Sequence, residues 1–132
     1  MKIVRSSQEI YGMSRVGTIS NKGTTYEIYV NTDDEVKLPH FHFRDMNDWD
    51  NFHTCIRIDV AEYFHHGNKQ DTLNSHQKKL LNDFMCTPTV KVRFDEHGNR
   101  LNNWQYICDM WDANNSDVII PEDIIQPDYT KL

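Results

Sequence analysis

An α+β domain is what this sequence predicts: an antiparallel sheet of four to five strands, two helices packed on one face of it, and an extended C-terminal tail. Three observations carry that expectation. Residues 15–60 hold runs in which apolar and polar residues alternate with a period of two, broken by turn residues. Residues 73–86 and 103–113 carry apolar stripes at helical spacing, and residues 115–132 are rich in Asn, Asp and Pro.

Taken in order, weak alternation at the start predicts a short strand near residues 2–4. A hairpin follows, with arms at 15–20 and 24–31 joined by Asn21-Lys22-Gly23, a three-residue connection whose glycine suits positive φ. In the second arm Tyr26, Ile28 and Val30 share one face, and Thr25, Glu27, Tyr29 and Asn31 share the other. Thr32-Asp33-Asp34-Glu35 then turns the chain into a strand at 36–44. There Leu38, Pro39, His40, Phe41, His42 and Phe43 follow one another, so the pleat sends Phe41 and Phe43 into a core and His40 and His42 to the opposite side.

A polar loop containing Trp49 leads to a run in which Phe52, Thr54, Ile56, Ile58 and Val60 alternate with His53, Cys55, Arg57 and Asp59. Pairing the two strands antiparallel with Arg44 opposite His53 sets His42 against Cys55 and His40 against Arg57. A slip by one residue would mix the faces. Residues 61–69 form a connection with His65-His66-Gly67-Asn68 as its turn.

The helix at 73–86 takes Thr72 or Ser75 as its cap, buries Leu73, Leu80, Leu81, Phe84 and Met85, keeps Lys78 and Lys79 outside, and ends before Pro88. Residues 89–94 read as a short strand with Val90, Val92 and Phe94 inward, followed by a turn at 95–99. In the helix at 103–113, Trp104, Ile107, Cys108 and Trp111 fall at i, i+3, i+4 and i+7. Along the tail Val118, Ile119, Ile120, Ile124 and Ile125 supply apolar contacts. No internal repeat or linker divides the chain, so residues 1–132 are expected to form one domain.

Composition narrows the function classes. The net charge of −6, from 14 Lys and Arg against 20 Asp and Glu, opposes nucleic-acid binding through a basic patch. No apolar run reaches the length of a membrane span, and the opening Met1-Lys2-Ile3-Val4-Arg5-Ser6-Ser7 lacks the apolar region of a secretion signal, so cytoplasmic residence is expected. Cys55, Cys86 and Cys108 are odd in number and without C-x-x-C spacing, which speaks for thiols rather than a disulfide framework or a zinc ribbon.

With both helices on one sheet face, the other is expected to be uncovered. It gathers Glu27, Tyr29, His40, His42, Arg44, His53, Cys55, Arg57 and Asp59. One reading is a metal site: His40 and His42, two apart on a strand, can share an ion with Cys55, and His53 or Asp59 could complete the set. Zinc suits such nitrogen and sulfur donors, although Arg44 and Arg57 would repel it, and no other cofactor is implied. A second reading is a His-based, ribonuclease-like hydrolase, in which His40 and His42 divide the roles of acid and base and Arg57 stabilises developing negative charge. A third is structural, the imidazoles bonding strand-end carbonyls or Asp33, Asp34 and Asp45. The expectation these residues favour is a non-catalytic protein-binding or regulatory module that uses this exposed His/Arg face toward a partner protein or a second copy. The metal-dependent or His-based hydrolase is the alternative.

The residues Ile28-Tyr29-Val30-Asn31, Asp33-Asp34-Glu35 and Leu38-Pro39-His40-Phe41-His42 resemble a family of small bacterial domains of unknown function marked by a hairpin and a Pro-Pro-His-Phe-His type strand. Ile56-Arg57-Ile58 and Leu80-Leu81-Asn82-Asp83-Phe84 follow in that family's order, so the likeness spans about residues 15–85. It departs at Leu38, which replaces the first proline, in the longer loop after Asp45, and in the additional residues 104–132. The resemblance implies a setting beside small partner proteins in mobile or toxin-antitoxin-like loci, with no activity attached. The Asn102-Asn103-Trp104 helix and the tail are similar to proteins carried on integrative elements, which adds to the expectation of a mobile-element origin.

Overall fold

A computed structural model describes residues 13–31, 38–65, 67, 70–115 and 118–132. The strand expected at 2–4, the turn at 32–35, the first residues of the strand expected at 36–44, and His66 and Asn68 lie outside the described residues.

Four strands, β1 (Met13–Asn21), β2 (Thr24–Asn31), β3 (His40–Asp45) and β4 (His53–Arg57), form an antiparallel sheet in the order β1-β2-β3-β4. Helices α1 (Ser75–Cys86) and α2 (Asn103–Asn114) complete the α+β architecture. Among the described residues no helix is long and apolar enough to cross a membrane.

The β1–β2 turn is tighter than expected. Asn21 pairs with Thr24, leaving only Lys22 (φ 51°) and Gly23 (φ 84°) between the strands. Positive φ at both positions matches the right-handed twist of the arms, the geometry favoured in two-residue hairpin loops. A bulge between Arg15 and Gly17 turns Arg15 toward the Tyr29 side and Gly17 toward the Ile28 side. Gly17 has a packing reason: a Cβ there would lie 2.8 Å from Cζ of Phe84 on α1.

The β3–β4 register is the expected one, with His40 opposite Arg57, Phe41 opposite Ile56, His42 opposite Cys55, Phe43 opposite Thr54 and Arg44 opposite His53. Its core face delivers Ile28, Val30, Phe41, Phe43, Ile56 and Ile58 to a cluster completed by Leu81 and Met85 of α1 and Ile107 and Trp111 of α2. Both helices open on the same device. Asn74 and Asn102 are the N-caps, each accepting from the backbone of a glutamine three residues on, Gln77 and Gln105, whose side chains bond back to the cap backbones. Asn74 thus takes the place expected for Thr72 or Ser75.

Two tethers tie distant segments to the end of β4. Trp104 Nε1 donates to the Ile58 carbonyl at 2.9 Å, and the Tyr129 hydroxyl donates to the carbonyls of Arg57 and Ile58 at 3.1 Å. Tyr129 is wholly buried, whereas Ile119 and Ile125 of the tail are exposed.

The expected strand at 89–94 is not there. Val90, Val92 and Phe94 are 81%, 73% and 59% exposed instead of inward. The segment folds back on its own continuation, with Thr89 N donating to Leu101 O and Asp95 N to Asn99 O. The outer edge of β4 is already taken by residues 62–64 and 70–71. Arg57 N bonds Glu62 O, Phe64 N bonds Cys55 O, and Asp71 N bonds His53 O. With that edge occupied, alternation alone cannot recruit 89–94 into the sheet.

Candidate metal centre

The same pleat that sends Phe41 and Phe43 to the core sends His40, His42 and Arg44 to the other face, and the registers place their neighbours. Tyr29, His42 and Cys55 stand in one row across β2, β3 and β4, while Glu27, Arg44 and His53 stand in the next.

That face is buried, which corrects the expectation of an exposed His/Arg surface. His42 and Cys55 are 0% exposed, His40 1%, Arg44 2% and Tyr29 3%. Among the described residues, the rings of Phe64 and Trp111 lie 5.2 Å and 5.5 Å from the ring of His40, and Trp49 lies across Arg44 with the guanidinium carbon 3.4 Å from its centroid. The sheet therefore has an apolar core on one side and a buried polar layer on the other. Trp111 of α2, a member of the core cluster, also borders His40, so this helix reaches the polar layer as well as the apolar core.

At the centre of the layer is His42. Its Nδ1 is 3.3 Å from Cys55 Sγ and 3.0 Å from His53 Nε2, its Nε2 is 3.1 Å from Asn31 Nδ2, and its ring stacks on Tyr29 at 4.5 Å. The neighbouring His40 donates from Nδ1 to the Leu38 carbonyl at 2.7 Å. That bond fixes the tautomer and leaves Nε2 as the lone-pair nitrogen, the arrangement in which a ligating histidine is oriented by its second nitrogen. Ligand atoms of His40, His42 and Cys55 all lie within 4.8 Å of one another, so the group could hold a metal ion.

The donor set tolerates a test of fit. In a tetrahedral zinc site the bond lengths set N···N edges of about 3.4 Å and N···S edges of about 3.6 Å. The His42–Cys55 separation of 3.3 Å is slightly shorter than such an edge, so an ion would spread these two donors by a few tenths of an ångström. Ligation through Nδ1 puts the proton of His42 on Nε2, where Asn31 must present its amide oxygen. That rotation exchanges two atoms of nearly equal size.

The cations expected to repel a metal are paired with carboxylates. Arg44 makes an ion pair with Glu27, with Nε donating to Oε1 at 2.6 Å, and Glu27 also accepts from Arg15 Nε at 2.9 Å. Arg44 Nη1 donates to the Tyr29 hydroxyl at 3.3 Å, and that hydroxyl lies 3.2 Å from His53 Nε2. Arg57 grips Asp59 with two bonds of 2.9 Å and 2.8 Å, which raise its pKa further, and Glu62 stands 3.8 Å away. Arg57 is opposite His40 in register, yet its guanidinium is committed to Asp59 rather than to the imidazoles.

Of the carboxylates offered as structural partners, Asp33 and Asp34 lie outside the described residues. Asp45 serves its own loop, accepting from Asn51, Asn47 and Asp48, and these bonds hold its pKa below the ordinary carboxylate value. His65, His76 and His97 are exposed and stand apart from the centre. The Leu38 carbonyl is a strand-end acceptor of the kind the structural reading expects for these imidazoles. Asn31 was not singled out from sequence, and the alternation Glu27, Tyr29, Asn31 was the available signal. No family model, curated protein or solved structure matches this chain.

Proposed function

We propose that this is a non-catalytic module built around a buried zinc ion held by His40, His42 and Cys55. The observation that carries the reading is the convergence of two imidazoles and a thiol within 4.8 Å in a fully buried layer. Zinc suits nitrogen and thiolate donors, and a closed, water-poor site suits a structural rather than a catalytic ion. His53, whose Nε2 is 3.0 Å from His42 Nδ1, lies outside the converged trio and would have to shift to close a fourth position. A regulatory role beside a partner protein, the setting implied by the resemblance of residues 28–42, fits a module of this kind.

Burial weighs against the hydrolase. Cys55, His42 and Asn31 stand in the order of a nucleophile, its base and an orienting amide. Both reacting atoms would nevertheless need a substrate beside them, and His42 and Cys55 expose no surface.

Elemental analysis of protein purified without chelator should find about one zinc per chain. Zinc at 100 times its dissociation constant should stabilise the fold by about 2.7 kcal/mol, and a chelator should reverse this. Cobalt substitution should give the intense visible bands of a tetrahedral thiolate site, and Cys55→Ser should abolish the sulfur charge-transfer band. Protein that is metal-free at neutral pH and whose melting temperature ignores added zinc would remove the proposal.

A further inference from the structure

A second site, lined by residues other than those of the metal centre, stands independently of the zinc reading. A cavity of about 510 Å³ opens between the turn after Phe94, the outer side of α2 and the tail around Pro121. Its apolar lining comes from Phe94, Leu101, Trp104, Ile120 and Ile124. Its polar lining includes five carboxylates, Asp95, Glu96, Asp109, Asp112 and Glu122, and neither a lysine nor an arginine.

The two segments that line the cavity also carry exposed apolar residues. Val90 and Val92 on one side, and Ile119 and Ile125 on the other, are 65% to 86% exposed. Together with Phe94 they make up five of the six exposed large hydrophobic residues among those described, the sixth being Trp49. Exposed apolar residues scattered singly need no explanation, but their concentration along the two segments flanking one cavity does. Asp109 and Asp112 point the same way: burial raises the pKa of each, and for Asp109 Arg93 opposes that rise while Asp112 adds to it. Asp112 spends one oxygen on Ile120 N at 2.8 Å, which ties the tail to α2 and shapes the cavity.

We propose that this groove binds a basic, amphipathic segment of a partner protein, with apolar side chains seated against Trp104 and Phe94 and Arg or Lys side chains paired with the surrounding carboxylates. Charge complementarity selects this occupant. A chain of net charge −6 with an acidic groove repels nucleic acid and anionic membranes, whereas a guanidinium gains both the carboxylates and an aromatic face.

The test is a titration of the full-length, isotope-labelled chain with three synthetic peptides, followed by NMR. One peptide alternates Leu with Arg, one Leu with Ser, and one Leu with Glu. The Leu/Arg peptide should move the amides of Phe94, Asp109 and Glu122, saturate, and weaken several-fold as salt is raised. The variant Asp109→Asn/Glu122→Gln replaces two carboxylates at the groove surface by amides of nearly the same shape, so the fold is retained, and it should bind the peptide about tenfold more weakly. Any of four results overturns the proposal: Leu/Ser binding as tight as Leu/Arg, undiminished binding by the variant, the same shifts produced by calcium or spermine alone, or the same shifts on raising the protein concentration without peptide. None of these depends on zinc, so a failure of the metal reading leaves this one standing.

Discussion

Replacing Glu27 by Gln separates a buried polar layer from a solvated sheet face. In the structure Glu27 joins Arg44 and Arg15, and the side chains of Glu27 and Arg44 are 2% and 3% exposed. Removing one partner of a pair this deeply buried leaves an uncompensated guanidinium, a change that costs about 3–5 kcal/mol. The same change on an exposed face would remove a screened ion pair, worth about 0–1 kcal/mol. Gln keeps the shape, so cavity formation does not confuse the two cases. The pair of Arg57 and Asp59, about a quarter exposed and therefore within reach of solvent, provides an internal control, for which Asp59→Asn should cost about 1 kcal/mol. Urea unfolding followed by circular dichroism is the assay. With a slope of about 1–3 kcal/mol/M for a domain of this size, Glu27→Gln should lower the midpoint by roughly 2 M. A shift no larger than that of Asp59→Asn, at unchanged slope, would mean that the His and Arg face is wet, and the buried metal centre would go with it.

Two further outcomes follow from the packing. Gly17→Ala drives a methyl group to 2.8 Å and 2.9 Å from the Phe84 ring, so it should cost about 1–3 kcal/mol, and Phe84→Leu should recover part of that in the double variant, both read from urea midpoints. Alkylation with iodoacetamide at pH 8, read by peptide mass spectrometry, should label Cys86 rapidly and Cys55 and Cys108 slowly. Cys86 is exposed and Cys55 buried, while burial, reinforced by Asp112 and Asp109, pushes the Cys108 thiol up to about 12, leaving roughly one part in ten thousand as thiolate. Fast labelling of Cys108 would contradict that environment.

Much of the fold is local and was therefore legible in the residues. The pleat separates Phe41 and Phe43 from His40 and His42, and a register set by matching two alternating strands brought His42 to Cys55 and His40 to Arg57, as observed. Helical spacing likewise identified Leu81, Met85, Ile107 and Trp111 as core residues. The trio His40, His42 and Cys55 could thus be named before any coordinates, because two periodicities and one pairing suffice to converge them.

Whether a face is covered is a different kind of fact, and the sequence by itself did not determine it. Alternation states which side chains share a side of a strand, but shielding comes from segments remote in the chain, such as Trp111 beside His40 and Trp49 across Arg44. The tertiary structure alone turned the His and Arg surface into a buried layer and paired its arginines with Glu27, Asp59 and Glu62. It also decided the fate of residues 89–94, whose alternation would suit a strand had residues 62–64 and 70–71 not already taken the edge of β4. Local pattern chooses the partners a residue can have; competition among distant segments for the same edge or face chooses which of them it keeps.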